Sequence, residues 1–325
     1  MDKNGKLNFA ILGAGHIAGK MARTLDFLRD EANPYAIAAR DFDRAERLRA
    51  ECNFKVAYGS YADMLADPAV DVVYVATPNA LHFGHCRMCL AAGKHVVCEK
   101  PFTTTAADAA ALFALAREKR LFMLEAVWTR FQPAVNIIRD IIASGEIGAP
   151  RFLQASFGLA ISHKERMASP ALGGGALFDL GLYPLNYAGM YFGLDFESAT
   201  SCATLTPGGV DDHSVVALKY RDGRLATLTT SMTAAMGTSG RIAGTLGYID
   251  TPQLTRCETI SVCKIPSGET RTIPCPFDFN GYEYEIRATT KAIAEGRLEC
   301  AEMPWSETLA LTGLMENLRR EWGVK

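Results

Sequence analysis

No stretch of this chain carries charge of predominantly one sign. Its 34 basic and 36 acidic residues are spread along 325 positions for a formal net charge of -2. Without a basic block or stripe, neither nucleic acid nor an anionic membrane surface is expected as a partner. No apolar run reaches the roughly 18 residues of a membrane-crossing helix. The first such run, Leu7 to Leu12, breaks at Gly13 and is too short for the core of a secretory signal. The nine cysteines are odd in number and lack framework-like spacing, which fits a reducing, cytoplasmic setting better than secretion. Nor is a metal site expected. Cys86-x-x-Cys89 stands beside His82 and His85, which suggests zinc or redox chemistry. It falls, however, within a helical stretch, residues 80–92, and no second Cys-x-x-Cys pair completes a ligand set. Cys89 beside Leu90 reads as a small core residue.

What remains is an ordinary soluble composition, 49% hydrophobic and 22% charged, in a chain long enough for about two domains. Leu7 to Leu12 reads as a strand, and Gly13-Ala14-Gly15-His16-Ile17-Ala18 follows at once as G-x-G-x-x-A opening a helix. The first glycine permits a tight turn, and the second lets backbone approach a pyrophosphate. Ala18 lets the helix pack closely on its strand. In this strand–turn–helix setting the pattern is strong, and Gly13, Gly15, His16 and Ile17 are the expected dinucleotide contacts.

A second strand, Tyr35 to Ala39, ends at Arg40-Asp41. An NAD site usually has an acid there for the ribose hydroxyls, whereas an arginine suits a 2′-phosphate. NADP(H) is therefore favoured over NAD(H); the alternative turns Arg40 to solvent and leaves the ribose to Asp41. Val70 to Ala76 is a buried parallel strand ending in Thr77-Pro78-Asn79, a loop bordering the cofactor crevice. Asn79 either bonds the cofactor or caps the helix running through His82. His95 to Cys98 is a further strand, delivering Glu99-Lys100-Pro101 to the carboxyl edge of the sheet, where ligands bind. A lysine there is a candidate for chemistry because its pKa shifts readily. The β/α alternation through residue 125 calls for a doubly wound parallel sheet. The expected domains are 1–125, binding the dinucleotide, and 126–325.

After the crossing at Glu125 to Phe131 the texture changes. Arg151–Phe157, Ser214–Tyr220, Arg224–Ala234, Gly240–Ile249, Thr259–Ile265 and Thr270–Pro274 look like strands, with helices near 175–193, 281–295 and 305–322. Consecutive short strands imply a large, open, mostly antiparallel sheet in an α+β domain. One face of it needs cover, and a second copy of the chain is the natural one; a homodimer is expected. Gly173-Gly174-Gly175 leads into a helix carrying Asp179 and Tyr183, four apart and so on one helical face. A phenol moves a proton in hydride transfer only if its pKa, ordinarily about 10, is lowered or its proton leaves in concert. Lys100 is the obvious source of a lowering charge. The plainer reading is a packed tyrosine with Asp179 paired to a surface cation.

Taken together, the G-x-G-x-x-A turn, Glu99-Lys100-Pro101 and Asp179-x-Gly-x-Tyr183 resemble the Gfo/Idh/MocA family of oxidoreductases. Ala39-Arg40-Asp41, Glu125 to Phe131 and Gly173 to Tyr183 look most like its dimeric dihydrodiol dehydrogenase and NADP-dependent D-xylose dehydrogenase branch. The resemblance spans nearly the whole chain, including Phe279 to Glu283. It implies a Rossmann domain followed by an α+β domain whose open sheet forms a dimer. It makes Lys100 the family's EKP lysine and Asp179 its motif aspartate, and Arg40 the arginine for the 2′-phosphate. Many members have histidine where this chain has Tyr183; the dihydrodiol branch has tyrosine, which implies a phenol as acid/base. Thr77, Asn79, His82, Glu99, Trp128 and Arg130 then join the cofactor contacts, and Trp128, Phe157, Tyr183 and Phe279 line the substrate pocket. The expected activity is hydride transfer to or from a CH–OH group of a sugar, polyol or cyclic dihydrodiol. A sugar–sugar oxidoreductase with tightly held cofactor and a non-catalytic NADPH-binding regulator are the alternatives.

Overall fold

The computed structural model of the protein describes residues 5–324. They fall into two compact units, one holding the chain up to Trp128 together with Asp278–Leu309, the other Thr129–Phe277 and the chain from Ala310.

In the first unit β1 (Asn8–Leu12), β2 (Asn33–Ala38), β3 (Val56–Tyr58), β4 (Val72–Val75), β5 (His95–Glu99) and β6 (Met123–Ala126) form a parallel sheet in the order β3-β2-β1-β4-β5-β6. The crossovers carry α1 (His16–Phe27), α2 (Phe42–Glu51), α3 (Tyr61–Ala66), α4 (His82–Ala91) and α5 (Ala106–Lys119). Helices on both faces bury the central strands completely, so β1 after Asn8 and β4 apart from Tyr74 are apolar throughout rather than alternating. The strand order reverses between β1 and β4, and the crevice for a ligand opens at that switch point. Only β3 escapes the sequence pattern: it is three half-buried residues at the sheet edge.

The chain returns to this unit with α9 (Glu283–Ala294) and the start of α10 (Trp305–Glu321). Trp305 explains the docking. Its ring stacks on Phe113 at 4.8 Å, Phe113 stacks on Phe102 at 4.8 Å, and its indole N–H donates to the Met123 carbonyl at 2.8 Å.

The second unit holds α6 (Pro133–Ala143), the short α7 (Glu165–Ala168), α8 (Leu182–Phe192) and an eight-stranded sheet. Its strands are β7 (Pro150–Gly158), β8 (Phe196–Leu205), β9 (Asp211–Tyr220), β10 (Leu225–Ser231), β11 (Gly237–Gly244), β12 (Gly247–Thr251), β13 (Thr259–Lys264) and β14 (Thr270–Pro274). Their order is β14-β13-β12-β11-β7-β10-β9-β8. Every pairing is antiparallel except β7 with β10, which is parallel. Leu153, Phe157, Val216, Leu218, Leu228 and Ile242 point to the buried face, against which α8 packs. On the other face Gln154, Ser156, Thr227, Thr229, Arg241 and Asp250 surround a shallow cavity of about 530 Å³.

Two details correct the strand pattern read from the sequence. The run Gly240–Ile249 is two strands, because Gly244 and Gly247 approach the Ile147 and Cys263 carbonyls too closely for any Cβ and let the chain reverse between them. The strand β8 was not anticipated; almost every side chain on it is exposed or half-exposed, so it lacks the apolar alternation that marks a strand. Among the described residues no helix is long and apolar enough to cross a membrane, and no group of three or more His, Cys, Asp or Glu side chains could hold a metal ion.

Candidate active site

The turn after β1 has the conformation that its glycines require. Gly13 has φ +115°, and a Cβ on it would lie 2.7 Å from the Ala76 carbonyl oxygen at the end of β4. Its N–H donates to the Ala38 carbonyl at 2.8 Å, so the turn is wedged between β2 and β4. At Gly15 a Cβ would meet nothing within 4 Å; protein packing does not explain that glycine. Helix α1 begins there without any side-chain cap. By contrast α2, α3 and α5 are capped by Asp41, Ser60 and Thr105. An uncapped, positively polarised helix start facing open space is the cradle that a dinucleotide pyrophosphate fits.

Arg40 is exposed just beyond β2, and Arg44 donates to the Ala14 carbonyl at 3.0 Å from the first turn of α2. The Asp41 carboxylate accepts from the Arg44 N–H at 3.3 Å and is thereby engaged as the α2 cap.

Two strands further along, β5 delivers Glu99 and the half-buried Lys100 to the same edge, with a cis Lys100–Pro101 bond. Glu99 is buried. The Tyr74 hydroxyl donates to its Oε1 and the Lys100 N–H to its Oε2, the latter at 3.2 Å. Glu125, at the end of β6, accepts from the Phe102 N–H at 3.1 Å. His82 is fully buried with both ring nitrogens 2.8 Å from backbone carbonyls, Nδ1 from Pro101 and Nε2 from Thr77. The structure therefore makes His82 the strap tying the loops after β4 and β5, where a cofactor contact was expected. Burial disfavours its charged form and lowers its pKa, opposed by those two carbonyls.

Below this edge lies a carboxyl that the sequence reading did not single out. Glu285 on α9 is fully buried, and neither carboxyl oxygen has a hydrogen-bond partner. Burial, then Glu99 and Glu283, push its pKa well above the ordinary carboxylate range, which favours the protonated form. Glu283 instead accepts from the Phe279, Asn280 and Gly281 N–H groups at 2.7–3.1 Å, shaping the turn before α9. Phe279 stacks on Phe27 of α1 at 4.7 Å, and Trp128 stacks on Tyr282 at 4.4 Å. The only sequence signal for this neighbourhood is a tyrosine, Tyr74, interrupting an apolar strand.

In the second unit a π-helical turn, Leu177–Gly181, runs directly into α8. It carries Asp179, whose carboxylate pairs with Arg166 Nη1 at 2.8 Å. Tyr183 follows in the first turn of α8, 8% exposed, its ring 5.5 Å from Phe157 of β7. Arg130 is buried and donates to Asn186 of α8 at 2.6 Å. Of the expected pocket residues, Phe157 and Tyr183 are thus brought together, while Arg130, an expected cofactor contact, is held by Asn186 one turn beyond Tyr183 on α8. The pin for this segment lies in residues with no motif. Gly175 has φ +119°, and a Cβ would fall 2.1 Å from the Asp211 carboxylate. Asp211 accepts from the Leu177 N–H at 2.5 Å and from Arg319 at 3.0 Å, and Arg319 also donates to the Gly174 carbonyl at 2.8 Å.

The comparisons with known proteins agree with what the two sheets define. Residues 7–126 match the oxidoreductase family with an NAD-binding Rossmann fold, and residues 135–250 match the GFO/IDH/MocA C-terminal domain. The chain belongs to the Gfo/Idh/MocA family and is an NAD(P)-binding oxidoreductase. Its relatives include the trans-1,2-dihydrobenzene-1,2-diol dehydrogenase of Homo sapiens, 34% identical over 325 residues, which cover 98% of this chain and 97% of that one. The enzyme of the same name from Sus scrofa is 34% identical over 329 residues, with the same coverage. Among solved structures, a 3-ketoreductase from Actinomadura kijaniata in complex with NADP and TDP-benzene superposes with a TM-score of 0.88 at 27% identity, covering 97% of each chain.

Proposed function

We propose that the protein is an NADP(H)-dependent oxidoreductase that moves hydride to or from a CH–OH group of a sugar, polyol or cyclic dihydrodiol. The observation that carries this reading is the carboxyl edge of the parallel sheet, where α1 begins uncapped before open space and Lys100 emerges from β5. Preference for NADP(H) is supported by an exposed Arg40 beside an Asp41 already engaged as a helix cap, and by the NADP bound to the 3-ketoreductase relative. The substrate class is supported by the names of the relatives, a dihydrodiol dehydrogenase and a ketoreductase.

In this reading the nicotinamide supplies or accepts the hydride at its C4 when bound. Tyr183 exchanges the proton of the reacting hydroxyl. Lys100 polarises the reacting oxygen and favours the tyrosinate electrostatically, and Asp179 orients. Trp128, Arg130, Phe157 and Phe279 shape the space around the reacting carbon, and positioning is the protein's larger contribution. The open sheet face of the second unit supports a homodimer built through it.

Replacing Tyr183 by Phe is expected to lower turnover by about 10²–10⁴, the usual worth of general acid/base help, with NADPH affinity unchanged by fluorescence titration. Wild-type turnover in that variant would overturn the assignment. Oxidation assays against sugars, polyols and dihydrodiols, with NADP and NAD in parallel, identify the substrate class.

A further inference from the structure

In the second unit every residue from Gly173 to Tyr183 is buried except Asp179. Its side chain is 15% exposed, and the group that overhangs it is Arg166, whose Nη1 lies 2.8 Å from Asp179 Oδ2. Arg166 stands on α7, in a stretch from Leu159 to Leu172 whose only buried side chain is Met167. Backbone fastens that stretch to the Asp179 segment. The Gly175 N–H donates to the Met167 carbonyl and the Gly174 N–H to the Ser169 carbonyl, each at 3.0 Å. A Cβ on Gly174 would fall 2.6 Å from the Met167 carbonyl oxygen, so the two chains touch directly. Nearer β7, the Ile161 and Ser162 N–H groups donate to the Met232 carbonyl at 2.8 and 3.0 Å.

An ion pair with one exposed partner contributes little to stability. Half of the Arg166 side chain meets solvent, and its loop is already held by Met167 and by backbone. What the pair creates is a chemical arrangement. A carboxylate accepts through two oxygens and serves more than one donor, and a guanidinium carries five N–H donors. Arg166 Nη1 also lies 3.3 Å from the Met167 sulfur, while among the described residues Nε and Nη2 have no protein partner. An acceptor and a set of donors therefore stand side by side on the turn that leads into Tyr183. Two hydroxyls on adjacent carbons match them: one donates to Asp179, and the oxygen of the other accepts from the guanidinium. A hydroxyl standing alone uses only one of the two.

We propose that Arg166 is a specificity-determining residue that reads the hydroxyl next to the reacting carbon, which makes the substrate a vicinal diol, in a sugar or in a cyclic diol. The inference rests on the reading above, in which Asp179 orients the reacting alcohol and Tyr183 exchanges its proton. Arg166 takes no part in either transfer. It adds a charge-assisted bond to a diol and none to a simple alcohol. With the second hydroxyl absent, the guanidinium keeps Asp179 and solvent as partners, so a simple alcohol forgoes one bond without burying an unpaired group. The preference for the diol is accordingly about 10- to 100-fold in kcat/KM, the worth of one hydrogen bond to a charged group.

Two probe pairs, oxidised with NADP by the full chain, test this: D-glucose against 2-deoxy-D-glucose, and trans-1,2-cyclohexanediol against cyclohexanol. The wild type is expected to prefer the diol member of at least one pair by about 10- to 100-fold, and which pair responds tells sugar from cyclic diol. Arg166→Ala is expected to erase that ratio by slowing the diol member alone, with NADPH affinity unchanged. Arg166→Lys, which keeps the charge with fewer donors, is expected to regain part of it. An arginine that merely braced the loop would on removal slow both members equally, and that result overturns the inference. So does a wild type without preference, or a preference that Arg166→Ala retains. Failure of the underlying reading looks different: a wild type that oxidises no member of either pair removes the CH–OH assignment, and the inference with it. Should Arg166→Ala not fold, Arg166→Met, which keeps the length of the side chain and removes its donors, takes the same test.

Discussion

Gly13 and Gly15 are two residues apart and are glycine for different reasons. Gly13 is demanded by the chain itself, through its positive φ and the Ala76 carbonyl, whereas the space beside Gly15 is empty of protein. Gly13→Ala should therefore destabilise the fold by about 1–3 kcal/mol from backbone conformation alone. Gly15→Ala should melt like the wild type yet bind dinucleotide about tenfold more weakly, a loss of roughly 1.4 kcal/mol. Differential scanning fluorimetry with and without NADPH separates the two. Glu285 allows a test of the opposite kind, in pH. Its folded-state pKa lies above its unfolded value, so its contribution to stability is full at low pH and declines as pH rises through the folded value. Glu285→Gln cannot ionise. Its melting temperature should match the wild type near about pH 5 and exceed it increasingly toward about pH 8; a constant gap would mean that Glu285 does not titrate with folding. At this scale the sequence showed the residues that carry motifs, Gly13, Gly15, Arg40, Lys100 and Tyr183. It could not show Tyr74, Glu285, Asp211 or Arg319, because what distinguishes them is the burial of a polar group by distant parts of the chain.

Among the elements, the segment from Gly173 to Tyr183 owes its shape to the Asp211–Arg319 pair. Removing one partner of a buried pair leaves an uncompensated charge, which typically costs about 3–5 kcal/mol. Arg319→Leu is expected to cost that much in urea unfolding, and a double change with Asp211→Leu to recover part of it. Equal stability of the single and double variants would show that the pair does not couple. The π turn preceding α8 belongs to the same segment. It adds a residue to the local helical repeat, so the four-residue spacing of Asp179 and Tyr183 predicts a shared face less directly than in a regular α-helix. Elements with a clear period or an unbroken apolar run were legible, as β1, β4 and β5 were. Those that pair without burying a face, such as β8, were not, and neither was the parallel pairing of β7 with β10, since periodicity says nothing about a partner's direction.

For the molecule as a whole, two sheets of different kind were legible from the change in texture after residue 150. The return of residues 278–309 to the parallel-sheet unit was not, because Trp305 finds Phe113 and Met123 across more than half the chain and nothing local announces it. The open face of the second sheet bears on assembly. Val215 and Leu225 are 44% and 42% exposed, beside the small polar side chains of β7 and β10. Multi-angle light scattering at about micromolar concentration should return twice the 35.3 kDa chain mass, as expected of a C2 pair. Thr229→Arg, which puts a charge in the middle of that face, should return the single mass. A monomeric wild type would remove the dimer from the proposal.

The uncapped start of α1 has one more consequence. A helix start that receives no side-chain cap leaves room for a ligand to supply one, and that ligand then becomes a component of the fold. At about a hundred times the dissociation constant such a ligand adds about 2.7 kcal/mol to the folded state. Where pyridine nucleotide is plentiful the polypeptide resists proteases, and where it is scarce the same polypeptide is cleared sooner. The amount of this protein that persists would then register nucleotide supply without any dedicated sensor, and pulse proteolysis with and without NADPH reads that difference directly.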